Sequence, residues 1–251
     1  MDGTNRNMKS VYEFIVQQKS LGKKILAVLI DPDNTNHLSE ILNLSKENLP
    51  DIFLVGGSLL SKKNIEHCIQ TIKSSSEIPV LLFPGNEMQI SADADGILLL
   101  SLISGRNPEL LIGRHVAAAG ILQASDLEII PTGYILIESG GSTAVSYISN
   151  TQPIPKSKYS IAAMTALAGE QLGMKLIYLE GGSGAQFPVT AELISTVRKH
   201  ISIPIFTGGG IRTVDEIKER LVAGADVVVI GNILEEHPEL LPSFCKAVHS
   251  I

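Results

Sequence analysis

Four carboxylates stand at the ends of short apolar runs, where a side chain is both fixed and reachable. Asp31 and Asp33 follow Ile25–Ile30, Glu138 follows Tyr134–Ile137, and Glu180 follows Leu176–Leu179. Tyr178 and Glu180 are two residues apart, so on a strand they point the same way. Together with Leu179, Gly181, Gly182, Ser183 and Gly184 they form the stretch YLEGGSG. Glu180 is placed there to bond hydroxyls of a phosphate-bearing molecule and to take a proton from one. The plainer alternative is a carboxylate that only satisfies loop N–H groups. Asp31, the first residue past its apolar run, suits Mg²⁺, which takes one or two protein oxygens and fills its octahedron with phosphate and water. The Ser58 hydroxyl is a fitting second contact. Asp33 serves equally well as a turn residue capping the helix that follows.

The strongest local signal is Thr207–Gly208–Gly209–Gly210–Ile211–Arg212 together with Gly231–Asn232. Glycine lets backbone approach an anion closely, and a following helix turns free N–H groups toward it. Glycines that merely make tight turns are the weaker reading, because two separate loops carry the pattern. The motif identifies a phosphate-bearing ligand and not a reaction. Absences narrow the chemistry further. Lys23, Lys24 and Lys175 precede their apolar runs, so no amine stands where a Schiff-base enzyme needs one. The six histidines, His37, His67, His115, His200, His237 and His249, show no ligand spacing.

The elements that must position these groups recur along the chain. Eight apolar runs are visible at Ile25–Ile30, Ile52–Val55, Pro79–Phe83, Gly96–Leu100, Tyr134–Ile137, Leu176–Leu179, Pro204–Phe206 and Val227–Ile230. Their continuous hydrophobicity fits strands covered on both faces. Stretches of helical period lie between most of them, at His37–Glu47, Lys62–Lys73, Tyr159–Leu172, Ala191–Lys199 and Val214–Val222. The alternation predicts an α/β fold, a (β/α)₈ TIM barrel, in which reactive groups occupy the carboxyl ends of the strands. Between Phe83 and Asp95 there is room for about two helical turns, so the third helix is shortened or replaced. Ser101–Thr132 has length for a helix plus an extra element. An additional N-terminal helix near Met8–Ser20 covers the barrel's bottom.

The chain's 251 residues match one such barrel, and no linker composition divides them, so residues 1–251 read as a single domain. A hydrophobic fraction of 44% with 18% charged residues excludes a disordered chain. No run of eighteen apolar residues is present, which excludes stable membrane insertion through a spanning helix. The polar start MDGTNRNMKS is unlike a secretory signal, and the expected location is cytoplasmic. A net charge of −6 offers no basic surface for nucleic acid. Cys68 and Cys245, far apart, read as buried thiols of a reducing compartment.

The stretches LIDPDN (29–34), VGGS (55–58), FPGN (83–86), YLEGGSGA (178–185), TGGGIR (207–212) and VVVIGN (227–232) occur in the order seen in the geranylgeranylglyceryl phosphate synthase family, with its bacterial heptaprenyl relatives, and the chain resembles that family over nearly the whole barrel. GGGIR alone is common among phosphate-binding barrels, whereas YLEGGSGA combined with LIDPD is specific. The resemblance implies a Mg²⁺-dependent prenyltransferase of lipid biosynthesis. Such an enzyme joins a polyprenyl diphosphate, here geranylgeranyl diphosphate, to sn-glycerol 1-phosphate as an ether and releases diphosphate. By position it implies magnesium at Asp31 and Ser58. It implies glycerol phosphate on Tyr178, Leu179, Glu180, Gly181, Gly182, Ser183, Gly184, Gly209, Gly210, Gly231 and Asn232, with Glu180 and Tyr178 at the chemistry. It also implies a homodimer or homohexamer, for which the Ile161–Leu172 helix face is a candidate interface. Some members carry a lysine where this chain has Leu29, and one phosphate contact is thereby missing. Leu98–Leu102, Ile103 and Tyr134–Ile137 are candidate walls for the prenyl chain. Other readings remain on the sequence alone. One is the same reaction with another chain length. A second is a sugar-phosphate isomerase or cyclase pairing Asp31 with Glu138, and a third is a catalytically silent phospho-ligand sensor.

Overall fold

The eight apolar runs close on themselves. The structure, a computed structural model, describes residues 10–62 and 64–251. In chain order the elements are α1 (Val11–Ser20), β1 (Ile25–Ile30), α2 (Leu38–Leu44), β2 (Ile52–Val55), α3 (Ile65–Ser75), β3 (Val80–Leu82), β4 (Gly96–Leu102), α4 (Arg114–Gln123), β5 (Glu128–Leu136), α5 (Ala144–Ser149), α6 (Tyr159–Gln171), β6 (Leu176–Glu180), α7 (Ala191–Arg198), β7 (Ile205–Gly208), α8 (Val214–Val222), β8 (Val227–Ile230), α9 (Asn232–Glu236) and α10 (Leu241–His249). Each strand pairs in parallel with the next, and β8 pairs with β1. This is the expected (β/α)₈ barrel.

The alternation of side chains along each strand builds two apolar layers. Ile25, Ala27, Ile52, Leu54, Leu81, Leu98, Ile130, Leu176, Phe206, Val227 and Val229 fill the barrel's interior. Their neighbours, such as Leu26, Val28, Phe53, Val80, Ile97, Ile177 and Val228, face the helices. The α1 helix plugs the lower end, burying Val11 and Ile15 in the interior cluster. Its start is anchored on Glu128, which accepts from Val11 N at 2.6 Å and Ser10 Oγ at 2.5 Å. Met8 and Lys9, where the sequence pattern begins this helix, lie outside the described residues. Acidic residues just before β2, β4 and β8 stitch the same end. Asp51, Asp95 and Asp226 accept the N–H of Leu26, Val80 and Ile205 on the preceding strand, each within 2.9 Å.

Two departures from a regular barrel shape the other end. Between β3 and β4 only a 3₁₀ turn, Glu87–Gln89, stands where a third outer helix belongs. In the long Ser101–Thr132 segment, a π-helical stretch at Glu109–Gly113 runs directly into α4. The fifth strand starts at Glu128, six residues before the sequence pattern places it, because Pro131 and Gly133 interrupt its apolar run. Beyond β8 the sequence pattern places no element. There α9 and α10 follow, and α10 buries Leu241, Phe244, Cys245 and Val248. Cys68 and Cys245 are both buried free thiols, and burial pushes each up to about 12. No described helix is long and apolar enough to cross a membrane.

Candidate active site

Strand β6 ends with Tyr178 and Glu180 directed into the barrel and Leu179 directed out among the helices. Glu180 is only 5% exposed. Its Oε1 accepts the Gly182 N–H, and the hydroxyls of Tyr134 and Tyr178 both bond its carboxylate. Burial pushes the carboxyl up to about 7, against the downward pull of those three hydrogen bonds. Burial first, and then the charge of Glu180, hold both tyrosines well above their ordinary value, so the phenols stay protonated and donate. A carboxylate balanced near neutrality inside an apolar setting is suited to accept a proton.

Below Glu180 lies an aromatic floor. Tyr178 stacks on Phe83 with centroids 5.1 Å apart, and Tyr134 and Phe206 meet it at 5.4 and 6.0 Å. The register places Tyr134 on β5 opposite Tyr178 on β6. Gly208 leaves room for the phenol, since a Cβ there would lie 2.4 Å from the Tyr178 hydroxyl oxygen.

Above the floor, the loops after β6, β7 and β8 form one side of an open cleft. Tyr178, Glu180, Ser183, Gly184, Gly209, Gly210, Gly231 and Asn232 all line it. Gly209 and Gly210 have φ of 84° and 74°, a left-handed pair that side chains rarely adopt. A Cβ on Gly209 would also press on Glu180 Oε1 at 2.6 Å. Ser183 Oγ donates to Asn232 Oδ1 at 3.0 Å and joins the β6 and β8 loops. Gly181 and Gly182 stand behind this surface: the Gly181 N–H donates to Gly208 O at 2.9 Å, and Gly182 packs on Thr143. The side chain of Leu179 is remote from the cleft.

Asp31, Gly57 and Ser58 line the opposite wall. Asp31 Oδ1 accepts the Asp33 N–H at 2.8 Å, and its Oδ2 lies beside Gly57. Burial raises the Asp31 carboxyl above its ordinary value. Asp33 has a different task from the helix cap expected of it. It clamps the β2 loop through Ser61 N, Ser61 Oγ and the Lys62 N–H at 2.5, 2.8 and 3.1 Å, while α2 starts at His37 without a side-chain cap. Glu235 on α9 also lines the cleft, is held by Asn34 Nδ2 at 2.8 Å, and is raised by burial first and by Asp31 after it.

A second recess opens beside the first, where the third helix is missing. Leu99, Leu100, Leu102, Leu110, Ala118 and Val145 supply apolar lining, and Phe83, Tyr134 and Ser58 line both spaces. Of the walls expected for a prenyl chain, Leu98 lies deeper in the core, while Ile135 and Ile137 face the helices. Ile103 packs against that outer layer too. Glu138 is exposed, accepts the Lys156 N–H at 3.3 Å and does not line the cleft, so it does not pair with Asp31 across the mouth.

Three residues of the site escaped the sequence reading as functional groups. Tyr134 appeared there only as a wall, and its pairing with Tyr178 is a matter of register. Arg212 sat unassigned within TGGGIR, and Glu235 lay past the last recognised element.

A closed parallel barrel whose glycine-lined loops meet a buried carboxylate at the strand ends defines a phosphate-handling (β/α)₈ barrel of the enzyme kind. The chain belongs to the PcrB family, whose model matches residues 19–248. It is 50% identical to a geranylgeranylglyceryl phosphate synthase of Spirosoma linguale, over 92% of this chain and 93% of that one. It is 40% identical to the synthase of the same name from Pyrococcus abyssi, covering 88% of each. Among solved structures it is similar to (S)-3-O-geranylgeranylglyceryl phosphate synthase from Thermoplasma acidophilum in complex with its substrate sn-glycerol-1-phosphate. That TM-score is 0.90 at 30% identity, over 97% of this chain and 100% of that one.

Proposed function

We propose that the protein is a prenyltransferase forming an ether between sn-glycerol 1-phosphate and geranylgeranyl diphosphate. The observation that carries this reading is Glu180, buried in the glycine-lined cleft between two phenols, one of which, Tyr134, also lines the apolar groove. The relatives' shared name and the substrate of the Thermoplasma enzyme support it.

The phosphate of glycerol phosphate rests on the backbone of the β6, β7 and β8 loops, with Ser183, Gly209, Gly210, Gly231 and Asn232 around it. Fixing the phosphate fixes the far hydroxyl, which lies toward Glu180. The hydroxyl oxygen attacks C1 of the prenyl diphosphate, the bond from C1 to the diphosphate oxygen breaks, and the proton passes to Glu180. Tyr134 and Tyr178 hold the carboxylate in one orientation before transfer. The aromatic floor keeps water from the developing allylic cation, and among the described residues no lysine lines the mouth to compete as a nucleophile. The prenyl tail leaves along the groove, where burial contributes about 0.8 kcal/mol per CH₂.

Asp31 and Ser58 would hold a magnesium ion. One carboxylate and one hydroxyl on adjacent loops, facing a cleft that accepts two phosphorylated molecules, fit the sparse protein ligation Mg²⁺ prefers. Bound there, the ion supplies Lewis-acid stabilisation of the departing diphosphate.

The test is incubation with labelled glycerol 1-phosphate and prenyl diphosphates of several lengths, with Mg²⁺ or with EDTA. The expected result is a labelled ether lipid, stoichiometric diphosphate release and loss of turnover in EDTA. Diphosphate release without a labelled lipid, or glycerol phosphate binding without turnover, overturns the reading.

A further inference from the structure

The cleft is acidic for a site that receives two phosphorylated molecules. Asp31, Glu180, Glu235 and Glu236 line it, and Arg212 is the single cationic side chain among the described residues that line it. Leu29 occupies the wall beneath Gly231, and its apolar side chain offers no charge there.

Arg212 is held with unusual definition for an exposed side chain. Its guanidinium donates from Nη1 to Gly210 O at 2.9 Å and Gln186 O at 3.3 Å, and from Nη2 to Ala185 O at 2.7 Å. Its own N–H donates to Glu216 Oε2 at 2.7 Å, in the capping box that opens α8. Planar guanidinium with its fixed fork suits such a multiple bridge, whereas an ammonium does not.

The three carbonyls belong to two different walls of the glycine recess. Ala185 and Gln186 are in the β6 loop, and Gly210 is in the β7 loop. The loops are in contact here, since a Cβ on Gly210 would lie within 3.0 Å of Phe187 and Pro188 backbone atoms. The two peptides that offer Ala185 O and Gln186 O to Arg212 offer their N–H groups to Ser139 O, at 3.0 and 3.2 Å. The β6 loop is thus strung between the β5 loop and Arg212. A trans peptide sets its C=O and N–H on opposite sides. Drawing Gly210 O toward the guanidinium therefore turns the Ile211 N–H away from it.

We propose that Arg212 is the positioning residue for the phosphate group of the three-carbon acceptor. It clasps the two glycine loops at the spacing a phosphate needs and sets beside them the one cationic charge among the described residues that line the cleft. This rests on the function proposed above and adds the residue that selects the phosphorylated acceptor over an uncharged polyol. The prenyl diphosphate lies on the Asp31 side and does not depend on it.

Two variants separate charge from clasp. Arg212→Met keeps the stem and removes both, and Arg212→Lys keeps the charge and removes the fork. KM for each substrate, calorimetric binding of glycerol 1-phosphate and of inorganic phosphate, and Tm are measured in the full chain. Arg212→Met is expected to raise KM and Kd for glycerol 1-phosphate at least tenfold, with KM for prenyl diphosphate within threefold. Arg212→Lys should fall between the two, and the salt dependence of phosphate binding should flatten in Arg212→Met only. Unchanged glycerol phosphate affinity in folded Arg212→Met overturns the proposal, as does an equal rise in both KM values. If Arg212→Met does not fold, Arg212→Lys decides by the same split. Wild-type protein that makes no ether lipid overturns the function reading instead, and direct phosphate binding still tests Arg212.

Discussion

Glu180 is subject to opposing demands, and pH separates them. Its carboxyl is raised from 4.5 to about 7 by burial, so the ligand-free protein holds it partly protonated at neutral pH. As a base it must be ionised. The rate kcat/KM should therefore rise with pH along an acid limb centred near 7. Glu180→Gln should lose about 10²–10⁴-fold in rate, and what remains should show no such limb. Stability runs the other way. A folded-state value above the unfolded one favours the protonated form, so the contribution is complete below 4.5 and lost as pH rises through about 7. That interval corresponds to about 3 kcal/mol. Urea unfolding at pH 5 and pH 8 should show Glu180→Gln gaining on the wild type at the higher pH by up to that amount. An equal difference at both pH values would show that Glu180 titrates at its ordinary position.

Among the elements, the one that is missing matters most. A full helix between β3 and β4 would cover the outer faces of Ile97 and Leu99. The Glu87–Gln89 turn leaves that flank open, and the groove runs there between the sheet and α4. Ala118, 4% exposed, is the small residue through which α4 grants this space. Ala118→Phe should shorten the prenyl chain that is accepted. Competition between a long and a short prenyl diphosphate, read by product mass, checks this, and an unchanged product ratio in folded variant would place the tail elsewhere. This gap was legible in the sequence, because the span from Phe83 to Asp95 has room for only about two helical turns. So were the runs that became strands, being continuously apolar. The inward direction of Tyr178 and Glu180 was legible from their spacing, and the same parity sends Leu179 outward. The start of β5 was not legible, since Pro131 and Gly133 disguise it, nor was α10, which lies past the last apolar run. The Tyr134–Tyr178–Glu180 contact depends on register between strand residues 44 apart in the chain, and period alone does not carry register. The reach of Arg212 back to three carbonyls likewise depends on two loops meeting in space.

At the scale of the molecule, on the proposed reading, a chain of net charge −6 binds anions by confining the compensation to a few places: peptide N–H groups, the magnesium that Asp31 would hold, and Arg212. The bottom-end acids Asp51, Asp95, Asp226 and Glu128 are meanwhile committed to backbone donors far from the mouth. The outer surface is less economical. Ile161 and Met164 on α6 and Leu172 at its C-cap are 50%, 47% and 77% exposed and recur at helical spacing. Ile112 and Val116, at 60% and 69%, do the same where the Glu109–Gly113 stretch runs into α4, and Ile121, at 57%, is exposed further along α4. These helices follow β4 and β5 and are successive in the outer ring around the groove's far side. Monomers rarely expose contiguous apolar patches beyond a few hundred Å². A symmetric contact between copies is the economical cover, because one self-complementary patch closes a dimer. Light scattering at micromolar concentration should give a mass at least twice that of one chain. Val116→Asp with Ile161→Asp should return the protein to monomers with its barrel intact by circular dichroism. Because both stripes lie outside the cleft, glycerol phosphate binding should survive in those monomers. A wild-type monomer, or a double variant that stays assembled, would remove these helices from any interface.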